Sequence, residues 1–138
     1  MAELTEHPTV RRFYERPPAA ARPQVVDHDW LRRAALEAGA DDVGFVEIDR
    51  PEIADQKGDI FWLLPKTKAL VSFVLRMNRE NVRTPARSIA NLEFHRTTEE
   101  TNEVARKIVA LLEQTGVRAM NGGAAGFPMD QVRKNDSD

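Results

Sequence analysis

The sequence predicts an α/β protein, a small three-layer sandwich whose partly parallel sheet has about three strands. Two observations predict it. Apolar residues alternate between helical spacing and strand-like runs in the order helix, strand, helix, strand, helix, strand. The 138-residue length fits one domain of the usual ~100–200 residues. A core is available, because the hydrophobic share of 41% rises to about 46% with the glycines included, inside the ~45–50% of globular chains.

The chain opens on residues 1–25, which hold Pro8, Pro17, Pro18 and Pro23 and the run Pro17-Pro18-Ala19-Ala20-Ala21-Arg22-Pro23. Proline removes amide donors and clashes with the preceding helical turn, so the expectation is a disordered arm. Phe13 and Tyr14 are its only anchors, and docking of the arm on a partner is the alternative. An α/β domain, incomplete in its sheet, is expected over 26–128, followed by a frayed polar tail over 129–138.

Within the domain, Asp27 can cap a helix with Trp30, Leu31, Ala34, Ala35 and Ala38 on one stripe and Gly39 as its stop. Residues 42–48 read as a strand whose Val43, Phe45, Val46 and Ile48 place apolar side chains on both faces. A second helix is expected from Glu52 to about Leu64, weakened by Gly58 and closed by Pro65. Residues 69–75 (Ala-Leu-Val-Ser-Phe-Val-Leu) form the strongest strand pattern, expected at the centre of the sheet. A polar loop follows over 77–85, and helical character returns from Ala86 through Ile89 and Leu92. Thr97 and Glu100 have capping-box spacing, predicting the start or restart of a helix that carries Val104, Ile108, Leu111 and Leu112 to a stop at Gly116. Residues 117–120 are read as a short third strand.

Composition narrows the chemistry. Zero cysteines exclude disulfides, thiolate metal sites and a thiol nucleophile on this chain. Net charge −2 excludes a molecule-wide basic coat. No uninterrupted apolar run is longer than residues 60–64, far below the ~18 needed to span a bilayer. The first residues include Glu3, Glu6 and His7 rather than a basic-then-apolar leader, so a cytoplasmic protein without a membrane partner is expected.

Five arginines (Arg76, Arg79, Arg83, Arg87, Arg96) against Glu80 and Glu93 give residues 76–96 a local net charge of +3. They follow the carboxyl end of the best strand, where α/β sheets place ligands, and a guanidinium fork matches phosphate. Arg79, Arg83 and Arg87 are therefore candidates for binding an anion: a nucleotide, a phosphorylated cofactor or an RNA backbone. A solvated loop with locally paired arginines is the alternative. His95, with an ordinary pKa near 6.5, can act as acid, base or donor to a cofactor, or serve structure beside Phe94. His95 and Glu99 share a helix face without a third ligand, so no metal site is expected. Gly122, Gly123 and Gly126 lack both Walker and dinucleotide spacing, and Ser72, Ser88 and Ser137 stand in no nucleophile elbow.

Four collinear stretches resemble the N-terminal part of the epoxyqueuosine reductase and ferredoxin-type 4Fe–4S protein family, relatives of cobalamin-dependent reductive dehalogenases. They are Leu36-Glu37-Ala38-Gly39-Ala40-Asp41-Asp42-Val43-Gly44-Phe45, Leu64-Pro65-Lys66-Thr67-Lys68-Ala69-Leu70-Val71-Ser72, Val74-Leu75-Arg76-Met77-Asn78 and Phe94-His95. The resemblance spans about residues 27–128. It implies the start of a nitroreductase-like cobalamin-binding domain, with Arg76, Asn78 and His95 on the cofactor or substrate side. For a complete protein it implies cobalamin, two 4Fe–4S clusters and, if epoxyqueuosine-type, a tRNA substrate. A separately encoded C-terminal ferredoxin-like part would then be the partner, since this chain has no cluster ligands and is not catalytically competent alone. In the family an aspartate thought to protonate the substrate follows the third strand. Asn121 stands there in this chain and lacks the proton a carboxylic acid supplies, which leaves open a sister group with another substrate. The competing expectation is a non-enzymatic α/β module that binds an anionic ligand or a protein partner through residues 76–96.

Overall fold

Helix α1 (His28–Ala38) begins where Asp27 Oδ1 accepts the Asp29 amide at 3.0 Å in the computed structural model. The structure describes residues 26–123 and, before them, Pro8 alone as an exposed helical residue. The rest of the expected arm, the polar tail and Gly126 lie outside the described residues. Helix α1 stops at Gly39, where the Ala40 amide returns to Ala35 and the Gly39 amide to Leu36, the paired bonds of a Schellman stop. Gly39 sits at φ 121°, a conformation that L side chains rarely adopt, and a Cβ there would lie 3.1 Å from Val104 Cγ2.

Strand β1 (Asp42–Glu47) leads to a 3₁₀ turn (Pro51–Ile53) and to helix α2 (Lys57–Leu63). The single helix expected from Glu52 to Leu64 is thus broken, since Pro51 favours a tight first turn and Gly58 leaves only a short α segment. Strand β2 (Ala69–Val74) follows, then helix α3 (Arg79–Arg83) and helix α4 (Arg87–Gln114). Helix α3 occupies what was expected to be loop. Helix α4 runs through Thr97 without a restart, because no glycine or proline interrupts residues 87–114. The hydroxyls of Thr98 and Thr101 donate back to the carbonyls of Phe94 and Thr97, which absorbs the threonines inside the helix. Its end repeats the α1 stop: the Val117 amide reaches Leu112 and the Gly116 amide reaches Glu113, with Gly116 at φ 84°.

Mixed helix and strand are present as expected, but the described sheet has two strands and they run antiparallel, in the register Val43↔Phe73 and Phe45↔Val71. A parallel crossover must carry the chain back along the ~20 Å of a six-residue strand. Helix α2, seven residues and about 10 Å long, is too short for that, and the chain reverses instead. Residues 117–120 pair with neither strand. The Val117 amide is taken by the helix stop, and Arg118 Nη2 donates to the Pro65 carbonyl at 3.2 Å. Strand β2, expected to be central, is an edge among the described residues.

The core lies on one face of this sheet. Leu31 and Ala35 from α1, Ala40 and Val43 at β1, and Val104, Ile108 and Leu112 from α4 form one buried cluster. Phe45, Val71 and Phe73 pack against it from the sheet. The opposite face is open around Gly44, where a Cβ would meet nothing within 4 Å, and around Val74, which is 58% exposed. Toward the end of that face Ile48 is buried, and among the described residues the expected partly parallel three-strand sandwich is not formed.

Among the described residues neither edge of the sheet pairs with a further strand. The Ile48 amide donates to the Lys68 carbonyl. Alternation then turns the peptide groups of Phe45 and Glu47 on β1, and of Val71 and Phe73 on β2, outward. Among the described residues the Arg50 amide takes the Glu47 carbonyl at 3.1 Å, and no backbone bond reaches the outward groups of Phe45, Val71 and Phe73. The outward amide of Val43 is satisfied locally by Asp42 Oδ1 at 2.8 Å.

Candidate functional site

The arginine-rich segment begins where β2 ends, and two carboxylates fix its course. The Arg76 amide donates to Asp41 Oδ2 at 2.7 Å, tying the strand exit to the turn before β1. The Asn78 amide donates to Glu93 Oε1 at 2.7 Å, and the Thr97 hydroxyl lies 3.5 Å from the same oxygen. Half-buried Glu93 therefore joins the loop, the start of α3 and the middle of α4. A carboxylate accepting an amide makes a charge-assisted bond stronger than a neutral one. It holds α3 against α4.

This arrangement brings Arg79 and Arg83 beside the first turns of α4. All three of Arg79, Arg83 and Arg87 are exposed, and among the described residues none has a carboxylate partner. The alternative of locally paired arginines applies only to Arg96, whose Nη1 lies 3.9 Å from Glu99 Oε2, both exposed. A shallow open depression of about 530 Å³ lies on α4, lined by Arg87, Ser88, Ala90 and Asn91.

The candidates for the cofactor side are not gathered. Arg76 and Asn78 make their hydrogen bonds through the backbone, and their side chains are exposed. His95 is exposed and meets only the edge of Phe94, ring centroids 6.2 Å apart. No hydrogen bond, ion pair or ring contact joins it to Arg76 or Asn78. Asn121 turns into its own loop, its Oδ1 accepting the Gly123 amide at 3.0 Å.

Neither cofactor of the resembling family fits the residues present. Cluster iron needs thiolates and the chain has no cysteine. Among the described residues no group of three His, Cys, Asp or Glu is placed to hold a metal. Cobalamin needs concave walls burying most of its surface, whereas Arg76, Asn78 and His95 stand on open surface.

Sequence reasoning missed the apolar side of this corner. Val82, Ile89, Leu92 and Phe94 are four of the eight large hydrophobic residues left exposed among those described, which makes this corner their main concentration. The signal was the helix phase. Stepping back from Leu112, Ile108 and Val104 leads through Thr101 and Thr97, and Ile89 and Leu92 lie off that stripe.

One charged contact elsewhere perturbs a carboxyl group. Asp49 is held below the usual carboxylate range, first by its hydrogen bond from Lys57 Nζ at 2.6 Å and then by the attraction of that ammonium.

Among the described residues no helix is long and apolar enough to cross a membrane. Compared with known protein families, curated proteins and solved structures, the chain matches none.

Proposed function

We propose that this chain is the N-terminal part of an iron–sulfur, cobalamin-dependent reductase of the epoxyqueuosine reductase-like family, inactive by itself. The observation that carries the reading is the small sheet: two strands whose outer edges meet no further strand among the described residues, with the main core cluster on one face. Two strands alone are marginal in water, and unpaired edges are templates for further pairing. In this reading a separate ferredoxin-like polypeptide supplies the remaining strands and all cluster thiolates, giving the partly parallel three-layer sandwich of a complete domain.

Reading the DNA downstream of the gene tests it. Cys-x-x-Cys-x-x-Cys-x-x-x-Cys-Pro spacing in any frame supports the reading, and its absence overturns it. The chain alone should purify anaerobically without cluster absorption. With cobalamin and a chemical reductant it should reduce an epoxide no faster than free cobalamin does. A faster rate would show a complete enzyme.

A second reading has its own support in Arg79, Arg83 and Arg87, exposed and without carboxylate partners among the described residues: a non-enzymatic module that takes an anionic ligand or a protein partner at residues 76–96. Calorimetry with a phosphorylated ligand should show Arg83→Ala weakening binding more than Arg118→Ala does. Equal effects would reduce the corner to ordinary surface charge.

A further inference from the structure

We propose that α3 and the first turns of α4 form a docking surface for an acidic amphipathic segment of another protein, helical when bound. Arg79, Val82 and Arg83 have the i, i+3, i+4 spacing of one face of α3. Ile89, Leu92 and Arg96 have the i, i+3, i+7 spacing of one stripe of α4. Both faces have the same make-up, aliphatic residues flanked by arginine. Val82 is 48% exposed, Ile89 46% and Leu92 57%. They are neighbours, because the Asn78 amide at the start of α3 is bonded to Glu93, one position beyond Leu92.

Charge and apolarity together select the occupant. Among the described residues Arg79 and Arg83 lack carboxylate partners, and residues 76–96 are +3 within a chain of net −2, so a negatively charged partner is favoured. Phosphate alone would leave three aliphatic side chains in water. Nucleic-acid interfaces are polar and gain little from valine, isoleucine and leucine. A second copy in a two-fold contact would bring the same arginines against one another, which costs attraction. A protein helix with an apolar stripe flanked by Asp and Glu satisfies both features and matches helix-in-groove recognition.

The proposal deepens the second reading above by naming its partner, and it stands independently of the reductase reading. Fluorescence anisotropy with the full chain tests it. The probe is a labelled peptide of leucine and glutamate with leucines at helix-stripe spacing; a scrambled peptide of equal composition is the control.

The striped peptide should bind, more weakly as salt rises. Leu92→Ser and Arg83→Glu should each weaken binding about tenfold or more, while Arg33→Glu on α1 leaves it unchanged. These positions are exposed, so circular dichroism and urea midpoints should stay at the parent values. Equal binding of the scrambled peptide, or no effect of Leu92→Ser, would overturn the proposal by removing the apolar contribution. An oligouridylate that binds more tightly and displaces the peptide would overturn it in favour of RNA. If inorganic pyrophosphate binds through Arg83 and the peptide does not, the protein partner is overturned and the anion reading survives. Binding of neither overturns both.

Discussion

The two halves of helix α4 share one backbone and little else. From Thr97 to Leu112 its inner stripe is sealed: Val104 is 2% exposed and Ile108 4%, against α1 and the sheet. Over its first turns Ile89, Leu92 and Phe94 remain about half exposed among the described residues, with α3 held against the helix. A helix of 28 residues propagates cooperatively once one part is nucleated and packed, so burial of the second half can hold the first half out as a platform. The same residue types therefore mean stability at one end and recognition at the other. Helix phase relative to the core decides which.

The largest expected effect sets the halves directly against each other. Ile108→Ala should cost ~2–5 kcal/mol and Leu92→Ala less than ~0.5 kcal/mol by urea denaturation. A comparable loss for both would erase the distinction between core and platform. Phe73→Ala sharpens it from the sheet side. The ring packs on the core but is only half-buried on an edge strand, so the loss should be about 2 kcal/mol, below the ~3–5 of full burial. A loss in the full-burial range would mean that further strands cover β2 in solution.

Gly39→Ala probes the contact between α1 and the buried half of α4. The added methyl meets Val104 Cγ2, and alanine is strained at φ 121°, so a loss of ~1–2 kcal/mol is expected in the same titration. A neutral result would show that the α1 stop can relax away from α4.

The smallest effect lies outside both halves. Asp49, lowered by Lys57, contributes stability that is present above its unfolded pKa of ~3.9 and lost as pH falls through its folded value. Lys57→Met should raise the Asp49 pKa toward the ordinary carboxylate value in an NMR titration. No change would show that the exposed pair does not persist in solution.

Local chemistry was legible in the sequence wherever one or two residues sufficed. Asp27 is an N-cap because its carboxylate reaches the Asp29 amide. Gly39 and Gly116 are stops because each takes a positive φ that other residues resist. The strands expected over 42–48 and 69–75 from short runs apolar on both faces form over 42–47 and 69–74, and Val104, Ile108 and Leu112 followed from helical spacing. Thr97 was misread because its capping spacing is a local possibility, and an unbroken helix buried on one side overrides it. The position of the basic segment was visible from its arginines, but the loss of local partners and the exposure of Val82, Ile89 and Leu92 were not.

By itself, then, the sequence determined where α1 begins and ends, where α4 stops, that residues 42–47 and 69–74 are strands, and the absence of any thiolate chemistry, since each depends on residues close in the chain or on composition alone. Tertiary structure alone decided that the strands run antiparallel, that α4 passes through Thr97, and that Glu93 joins the β2 exit to α4. It also decided that Arg76, Asn78 and His95 stay apart while α3 and α4 present arginines beside bare aliphatic side chains. The physical reason is that sense, register and exposure depend on contacts between residues distant in the chain, such as Arg76 with Asp41 and Gly39 with Val104, which no local pattern encodes.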